Sequence, residues 1–168
     1  MSEECYSPDE AESEEPASDA VDPRDVRHAA MDLLARREHL QLELQQKLGK
    51  RFQDRELVAD VVMQLRDDGL QSDERYCESY VQARSDKGFG PERIRMEMCR
   101  KGAATDLADQ ALQDCDVDWD SLAQNTRCKK FGTGLPDDFK EQSRQMRFLQ
   151  YRGFTGDTLR RALRFEDE

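Results

Sequence analysis

Apolar residues beyond Asp22 recur at intervals of three and four positions along almost the whole chain. The clearest stripe precedes Gly69 and consists of Val58, Val61, Val62 and Leu65, which fall on one face of an α-helix. Asp54 stands ahead of this stripe as a candidate N-cap, and the glycine behind it is a typical helix terminator. Because no stretch alternates apolar and polar residues as a strand does, the pattern predicts about nine helices and no β-sheet.

Most of the predicted helices have a recognisable start signal. Asp22-Pro23 combines an N-cap residue with proline at the first helical position. A second, short helix carries Leu44 and Leu48 on one side. The helix that opens at Pro136-Asp137 is predicted to bury Phe139, Met146 and Leu149. The other helices are predicted to begin at or near Asp54, Ser72, Gly90-Pro91, Thr105, Trp119 and Thr155.

One phrase of sequence, Gly-Phe followed by a basic helix, occurs twice. Residues 88–98 and 153–163 share this start, an acid at the fifth position, an arginine at the eighth, and apolar residues at the seventh and eleventh. Each glycine is predicted to end a helix in a left-handed conformation, with the phenylalanine packed back onto that helix. A weaker third copy lies at Arg37–Leu48. The intervals of 50 and 65 residues indicate stacked helical repeats, with the helix at Trp119 filling the longer interval.

Charge is distributed unevenly along the 168 residues. The net charge is −11, but residues 1–22 hold nine acids and no Lys or Arg, which leaves −2 for the rest. Since this first segment has almost no large apolar residue, we predict a disordered acidic tail. It is either a solubilising leader or an arm that imitates nucleic acid or shields a basic face. The predicted units are the tail, 1–22, and three helical repeats at 23–70, 71–115 and 116–168.

The chemically reactive residues argue against an enzyme or a metalloprotein. The five cysteines are widely spaced without a C-x-x-C pair, and the chain has only two histidines. This composition favours reduced thiols in the cytoplasm and predicts no metal site. The sequence contains no phosphate-binding loop, hydrolase motif or zinc-protease motif, so we predict no catalytic residue and no cofactor. Neither a membrane span nor a signal peptide is expected, because no apolar run is long enough and the N-terminus is acidic.

Two basic segments coincide with the repeated phrase. From Arg84 to Lys101 there are six bases and three acids, and from Phe139 to Phe165 seven bases and two acids. Arginine outnumbers lysine in both segments, which suits bidentate contacts with phosphate or carboxylate groups. Ordinary solvated helix faces are the alternative explanation. The residues predicted to contact a partner are Arg93, Arg95, Arg100, Lys101, Arg147, Arg152, Arg160, Arg161 and Arg164.

Three stretches resemble repeats of the RecX family, the bacterial regulators of the RecA recombinase. The family's opening repeat is similar to LLARREH at Leu33–His39 together with Glu43-Leu44 and Lys47-Leu48. DERYCESYVQARSDKGFGPERIRMEM with RKG behind it, within Asp73–Gly102, is similar to the central repeat, and RQMRFLQYRGF at Arg144–Phe154 to the last. The likeness runs from about Arg24 to Phe165 in the family's order. The departures from the family pattern are conservative and lie at Leu40, Cys77, Met98 and Ala103.

The resemblance implies an elongated all-α monomer of tandem three-helix repeats. It also implies binding in the groove of the RecA filament on single-stranded DNA, with negative modulation of recombinase and co-protease activity. A helical DNA-binding protein or transcriptional regulator that acts on DNA directly is the alternative that stays open. The net charge of −2 beyond the tail disfavours strong independent DNA binding, because neutralisation of phosphates dominates such affinity. We therefore expect at most weak direct contact with DNA.

Overall fold

The described parts of the chain, residues 21–136 and 138–163, contain α-helices as their only regular elements in this computed structural model. The prediction of an all-α protein is confirmed. The apolar stripe of the third helix is buried at all four of its positions, as its helical spacing requires. In chain order the helices are α1 (Pro23–Leu34), α2 (Gln41–Arg51), α3 (Arg55–Asp67), α4 (Asp73–Ser85), α5 (Pro91–Lys101), α6 (Thr105–Asp114), α7 (Trp119–Phe131), α8 (Phe139–Arg152) and α9 (Gly156–Ala162).

Polar side chains begin α1, α3 and α4 as predicted. The Asp22 carboxylate accepts a hydrogen bond from the backbone N–H of Arg24 at 2.8 Å, and Asp54 accepts one from Leu57 at 3.0 Å. Ser72 caps α4 in the same way. These bonds satisfy backbone donors of the first turn that have no partner inside the helix, so they determine where each helix begins.

The eighth helix begins later than its sequence signal suggests. Its N-cap is Asp138, whose carboxylate accepts a hydrogen bond from the N–H of Glu141 at 2.6 Å. Phe139 therefore lies in the exposed first turn, with 83% of its surface accessible. The prediction that Phe139 is buried is wrong. Asp137, the other half of the predicted start signal, lies outside the described residues.

The threonines predicted to cap α6 and α9 do not form capping bonds. Ala104 is the N-cap of α6, so Thr105 is the first residue of that helix. Thr155 is the N-cap of α9, but its side chain makes no capping hydrogen bond. A threonine near a helix start produces the same sequence signal at either position, because both favour short polar side chains.

The described helices pack as three consecutive triplets, each with its own buried cluster. Contacts between helices are concentrated within α1–α3, within α4–α6 and within α7–α9. Leu65 is buried in the first cluster, Ile94 and Met98 in the second, and Leu149 and Phe154 in the third. Three short helices cannot cover an apolar stripe by themselves, so neighbouring triplets also pack against each other. This arrangement is the predicted array of tandem three-helix repeats.

The structure corrects the pairing of the repeated phrase. Gly88-Phe89 joins the first and second helices of its triplet, whereas Gly153-Phe154 joins the second and third. The structural counterpart of Gly153-Phe154 is Gly102-Ala103. Both glycines end a middle helix with positive φ, 100° and 93°, and the residue after each donates to the carbonyl five positions earlier at 3.1 Å. The repeat interval is 51 residues here, and Trp119 belongs to the first helix of the third triplet, not to an extra helix.

The first and second triplets are joined at the beginning of α2. Leu40, the N-cap of α2, is buried in the core of the second triplet. Because leucine has no polar atom with which to cap a helix, the Asp73 carboxylate of α4 accepts the hydrogen bond from the N–H of Gln41 at 2.8 Å. The side-chain amide of Gln71 donates to the carbonyl of His39 at 3.0 Å. A side chain of the second triplet thus caps the start of α2.

The second and third triplets meet where the end of α8 faces the start of α5. Gly90, the N-cap of α5, donates its N–H to the carbonyl of Arg152 at 2.8 Å, and Glu92 donates to the carbonyl of Gly153 at 3.2 Å. The free carbonyls of one helix end therefore satisfy free N–H groups of the other, with opposite ends of the two helix dipoles adjacent. A Cβ atom at Gly90 would overlap the Gly153 carbonyl, so the two backbones are in direct contact.

Residues 1–20 lie outside the described residues, and with them most of the predicted acidic tail. The described part begins at Val21, immediately before the cap of α1. Among the helices that it contains, none has the length and apolar character needed to cross a membrane.

Candidate functional site

Three guanidinium groups from two triplets converge on the ring of Phe89. Arg84 of α4, Arg93 of α5 and Arg152 of α8 place their central carbon atoms 4.0, 4.6 and 4.9 Å from the ring centroid. All three distances lie within the range of a cation–π attraction. The joint between the triplets therefore brings together two predicted contact residues, Arg93 and Arg152.

Hydrogen bonds to the backbone hold these two arginines across the joint. Arg93 donates to the carbonyl of Tyr151 at 3.0 Å, and Arg152 donates to the carbonyl of Lys87 at 2.9 Å. Each arginine thus reaches from its own triplet to the main chain of the other. Both are part of the joint itself, which leaves less of their hydrogen-bonding capacity for a partner.

One carboxylate offsets part of the positive charge around Phe89. Glu97 accepts hydrogen bonds from Arg84 at 2.6 Å, from Arg93 at 3.0 Å and from the Tyr80 hydroxyl at 2.9 Å. Burial alone would raise the pKa of Glu97, but these hydrogen bonds outweigh it and lower that pKa. Burial and the bond to Glu97 together raise the pKa of Tyr80 to about 12. Three arginines around one ionised acid leave the cluster net positive.

A groove with excess positive charge lies beside this cluster, between the ends of α4, α7 and α8. Its volume is about 350 Å³, and Asp86 is the one acid among the described residues that line it. Phe148 forms part of the wall, with the Lys130 ammonium 4.3 Å from its ring centroid. We call this feature the basic groove. The cations that line it are Lys87, Lys129, Lys130 and Arg152.

The four cations of the basic groove have no acidic partner among the residues that the structure describes. Lys87, Lys129 and Lys130 are exposed, and Arg152 is half-buried. Such groups form charge-assisted hydrogen bonds with phosphate or carboxylate oxygens. The groove is therefore equipped to bind an anionic chain.

Three other predicted contact residues form ion pairs within the protein. Each of these arginine side chains is at least 40% exposed, so the pairs contribute little stability and leave room for a competing anion. The hydrogen bond from Arg95 lowers the pKa of the Asp109 carboxyl group. The pairs are Arg95 with Asp109, Arg160 with Asp157, and Arg161 with Asp120.

Arg95 and Arg160 do not occupy equivalent positions in their triplets. Arg95 lies on α5, a middle helix, whereas Arg160 lies on α9, a third helix. With the corrected interval of 51 residues, the counterpart of Arg160 is Asp109, the partner of Arg95. The two copies of the repeated phrase therefore place these arginines at different positions of their triplets, while contact of either with a partner stays a prediction.

The remaining candidates are spread over α5, α8 and the end of the chain. Arg100 and Lys101 are exposed in the last turn of α5, and Arg147 is exposed on α8, where it donates to the carbonyl of Ser143 at 3.2 Å. None of the three is in an ion pair with a described residue. Arg164 lies outside the described residues.

Sequence reasoning missed the lysines that line the basic groove. Lys129 and Lys130 belong to the run Arg127–Lys130 near the end of α7, outside both copies of the repeated phrase. Lys87 lies in the first basic segment but is not among the predicted contact residues. A run of three bases in four residues at a helix C-terminus was the available signal.

The described residues contain no cluster of three or more His, Cys, Asp or Glu side chains positioned to hold a metal ion. Four cysteines in this part of the chain are free, and Cys77 is fully buried. Burial raises the pKa of the Cys77 thiol to about 11, so this side chain stays protonated near neutral pH.

Comparison with known proteins gives matches along most of the chain. The family model described as RecX, second three-helix domain, matches residues 72–112, and that described as RecX, third three-helix domain, matches residues 117–163. Regulatory protein RecX of Ectopseudomonas mendocina (strain ymp) is 46% identical over 146 residues, which cover 87% of this chain and 97% of that protein. Regulatory protein RecX of Halorhodospira halophila (strain DSM 244 / SL1) is 44% identical over 143 residues, covering 85% and 89%.

A solved structure shares the fold. The crystal structure of RecX from Lactobacillus salivarius aligns with a TM-score of 0.71 and 20% sequence identity, covering 84% of this chain and 94% of that chain. The two family models fall on α4–α6 and on α7–α9, so they coincide with two of the triplets that the helix packing defines.

Proposed function

Since the chain belongs to the RecX family, we propose that it is a negative modulator of the RecA recombinase. It binds the RecA filament on single-stranded DNA, as a monomer in the cytoplasm, and lowers the ATPase, recombinase and co-protease activities of the filament. The observation that carries this proposal is 46% identity, over 87% of the chain, to a protein named Regulatory protein RecX. The name of this relative supports a regulatory role, and we propose RecA as the protein that is regulated.

Binding without chemistry accounts for such an activity. The basic groove contacts the phosphates of the filament DNA or acidic side chains of RecA, and the exposed arginines beyond it add contacts at the rim. Charge-assisted hydrogen bonds contribute about 1.5–3 kcal/mol each where they are shielded from water, and much less at the rim. The helix-end contacts between α5 and α8 support this role, because they keep the walls of the groove in one arrangement.

A protein that binds DNA directly, for example a transcriptional regulator, is the second candidate. The observation in its favour is the same groove, whose cations also suit the phosphates of naked DNA. The two candidates differ in their binding partner, because only the first requires RecA for binding.

The test is a pair of binding titrations with the fluorescently labelled chain at 0.15 M salt. One titrant is RecA assembled on a single-stranded oligonucleotide with a non-hydrolysable ATP analogue, and the other is the same oligonucleotide alone. We expect the filament to bind at least about tenfold more tightly, a difference of about 1.4 kcal/mol. Equal affinities would favour the direct DNA binder, and binding to neither would contradict both candidates.

A further inference from the structure

We propose that residues 1–20 of this chain occupy the basic groove of the same molecule when no other anion is bound there. The acidic N-terminal segment is then an intramolecular ligand of the surface between the ends of α4, α7 and α8. This inference does not rest on the proposed function, because it concerns the free protein and is tested without RecA or DNA.

The groove and the N-terminal segment carry opposite charges. Among the described residues, four cations and one acid line the groove, while residues 1–20 contain eight acids and no Lys or Arg. Arginines elsewhere in the described chain are often matched within the fold, as Arg27 is by Asp68 and Arg75 by Glu38. The basic groove thus concentrates cations without acidic partners among the described residues, and the segment is the longest purely acidic stretch available to them.

The covalent link to the array keeps the acidic segment at a high local concentration. Individual contacts between exposed lysines and carboxylates are weak, about 0–1 kcal/mol each. A segment tethered to the same chain is present at an effective concentration in the millimolar range, so several weak contacts are enough to populate the bound state. Because these contacts lie at the surface, salt screens them.

The segment is followed by Val21 and Asp22, which belong to the first triplet, whereas the groove lies between the second and third. Twenty residues span up to about 65 Å when extended. A triplet of helices is about 20 Å across, since helix axes pack 8–10 Å apart and each helix is about 10 Å wide. The segment is therefore long enough to pass the second triplet.

Zero-length cross-linking of the full chain tests the proposal. A carbodiimide joins a carboxylate to a lysine amine only when the two are in contact, with loss of water. Trypsin then releases residues 1–24 as one peptide, because Arg24 is the first basic residue. We expect this peptide to be linked to Lys87, Lys129 or Lys130 about tenfold more often than to the control lysines, Lys50 and Lys140, which are exposed but do not line the groove.

Salt and the origin of the cross-links complete the test. The yield at the groove should fall strongly when salt rises from 0.1 M to 1 M, because the Debye length shrinks from about 10 Å to about 3 Å. Equal linkage to Lys50 and Lys140, or linkage only in dimers, would overturn the proposal. So would linkage of the groove lysines to the acidic C-terminal peptide 165–168 in place of the N-terminal one.

Discussion

Gly90 and Gly153 let two helix ends touch, and no other residue type fits at either position. A Cβ atom at Gly90 would overlap the carbonyl of Gly153, and one at Gly153 would overlap the main chain of Arg93. Gly153 also has a φ of 93°, which favours glycine. At the residue scale, the joint between the second and third triplets depends on these two missing side chains.

Replacing Gly90 by Ala should lower the free energy of unfolding by about 1–3 kcal/mol, because the added methyl group forces α5 and α8 apart. Gly49→Ala is the matched control. Nothing lies within 4 Å of a Cβ atom at Gly49, which is inside α2, so this change should stabilise the protein by about 0.5–1 kcal/mol. Urea denaturation measures both variants, and similar stabilities would contradict the close contact.

The lysines of the basic groove should matter more for filament binding than other exposed lysines. We expect the double change Lys129→Glu and Lys130→Glu to weaken binding at least about tenfold and to reduce the salt slope by about 1.4, if both lysines contact phosphates of the single strand. The control is Lys50→Glu with Lys140→Glu, which changes the net charge equally outside the groove. Equal losses for the two pairs would show that only net charge matters.

The exposed arginines give a separate prediction. The double variant Arg95→Glu and Arg160→Glu should bind the filament more weakly while its melting temperature changes little, because both ion pairs are solvent-exposed. Thermal unfolding and filament titration check the two parts. A variant that binds and inhibits as the parent does would mean that Arg95 and Arg160 face solvent in the complex.

At the scale of helices, the middle helices α2 and α5 carry the same ion pair with its signs exchanged. Glu43 and Lys47 on α2 lie 50 residues before Arg93 and Glu97 on α5, and each pair joins positions i and i+4. In both helices the acid also pairs with an arginine that precedes the helix. Arg37 pairs with Glu43, and Arg84 pairs with Glu97. Both triplets thus have a polar cluster on the middle helix, although the positions of the acid and the base are exchanged.

The cluster of Glu43 with Arg37 and Lys47 in the first triplet should make stability depend on pH. Burial alone would raise the pKa of Glu43, but hydrogen bonds from Arg37 and Lys47 outweigh it and lower that pKa to about 2, from an ordinary value of 4.5. A lowered carboxyl pKa adds stability that is complete above pH 4.5 and is lost as pH falls towards 2. Urea denaturation from pH 7 to pH 3 should therefore show a steeper loss for the parent than for Glu43→Gln. Parallel curves would contradict this coupling.

Helix positions were predictable because their signals are local, whereas the joints were not. Asp22, Asp54 and Ser72 act on residues two or three positions ahead, so their roles are visible in the sequence. The correspondence between Gly102-Ala103 and Gly153-Phe154 is not visible in the sequence, because alanine follows the glycine in one triplet and phenylalanine in the other. The basic groove joins Lys87 to residues of α7 and α8, from Leu122 to Arg152, and nothing in the local pattern indicates that neighbourhood.

At the scale of the whole molecule, the helical array should be stable without its acidic segment. Deleting Met1–Pro16 should leave the melting temperature nearly unchanged, because these residues contain no apolar stripe to bury and surface charge contacts add little stability. Circular dichroism during heating measures this. A large drop would mean that the segment packs into the array.

The most direct test of the central claim is the rate of ATP hydrolysis by RecA on single-stranded DNA, measured with increasing amounts of this chain. We predict that the rate falls as the chain is added, and that the variant carrying Lys129→Glu and Lys130→Glu requires about tenfold more protein for the same effect. An unchanged rate, at concentrations where the chain is bound to the DNA, would contradict the claim that it modulates RecA.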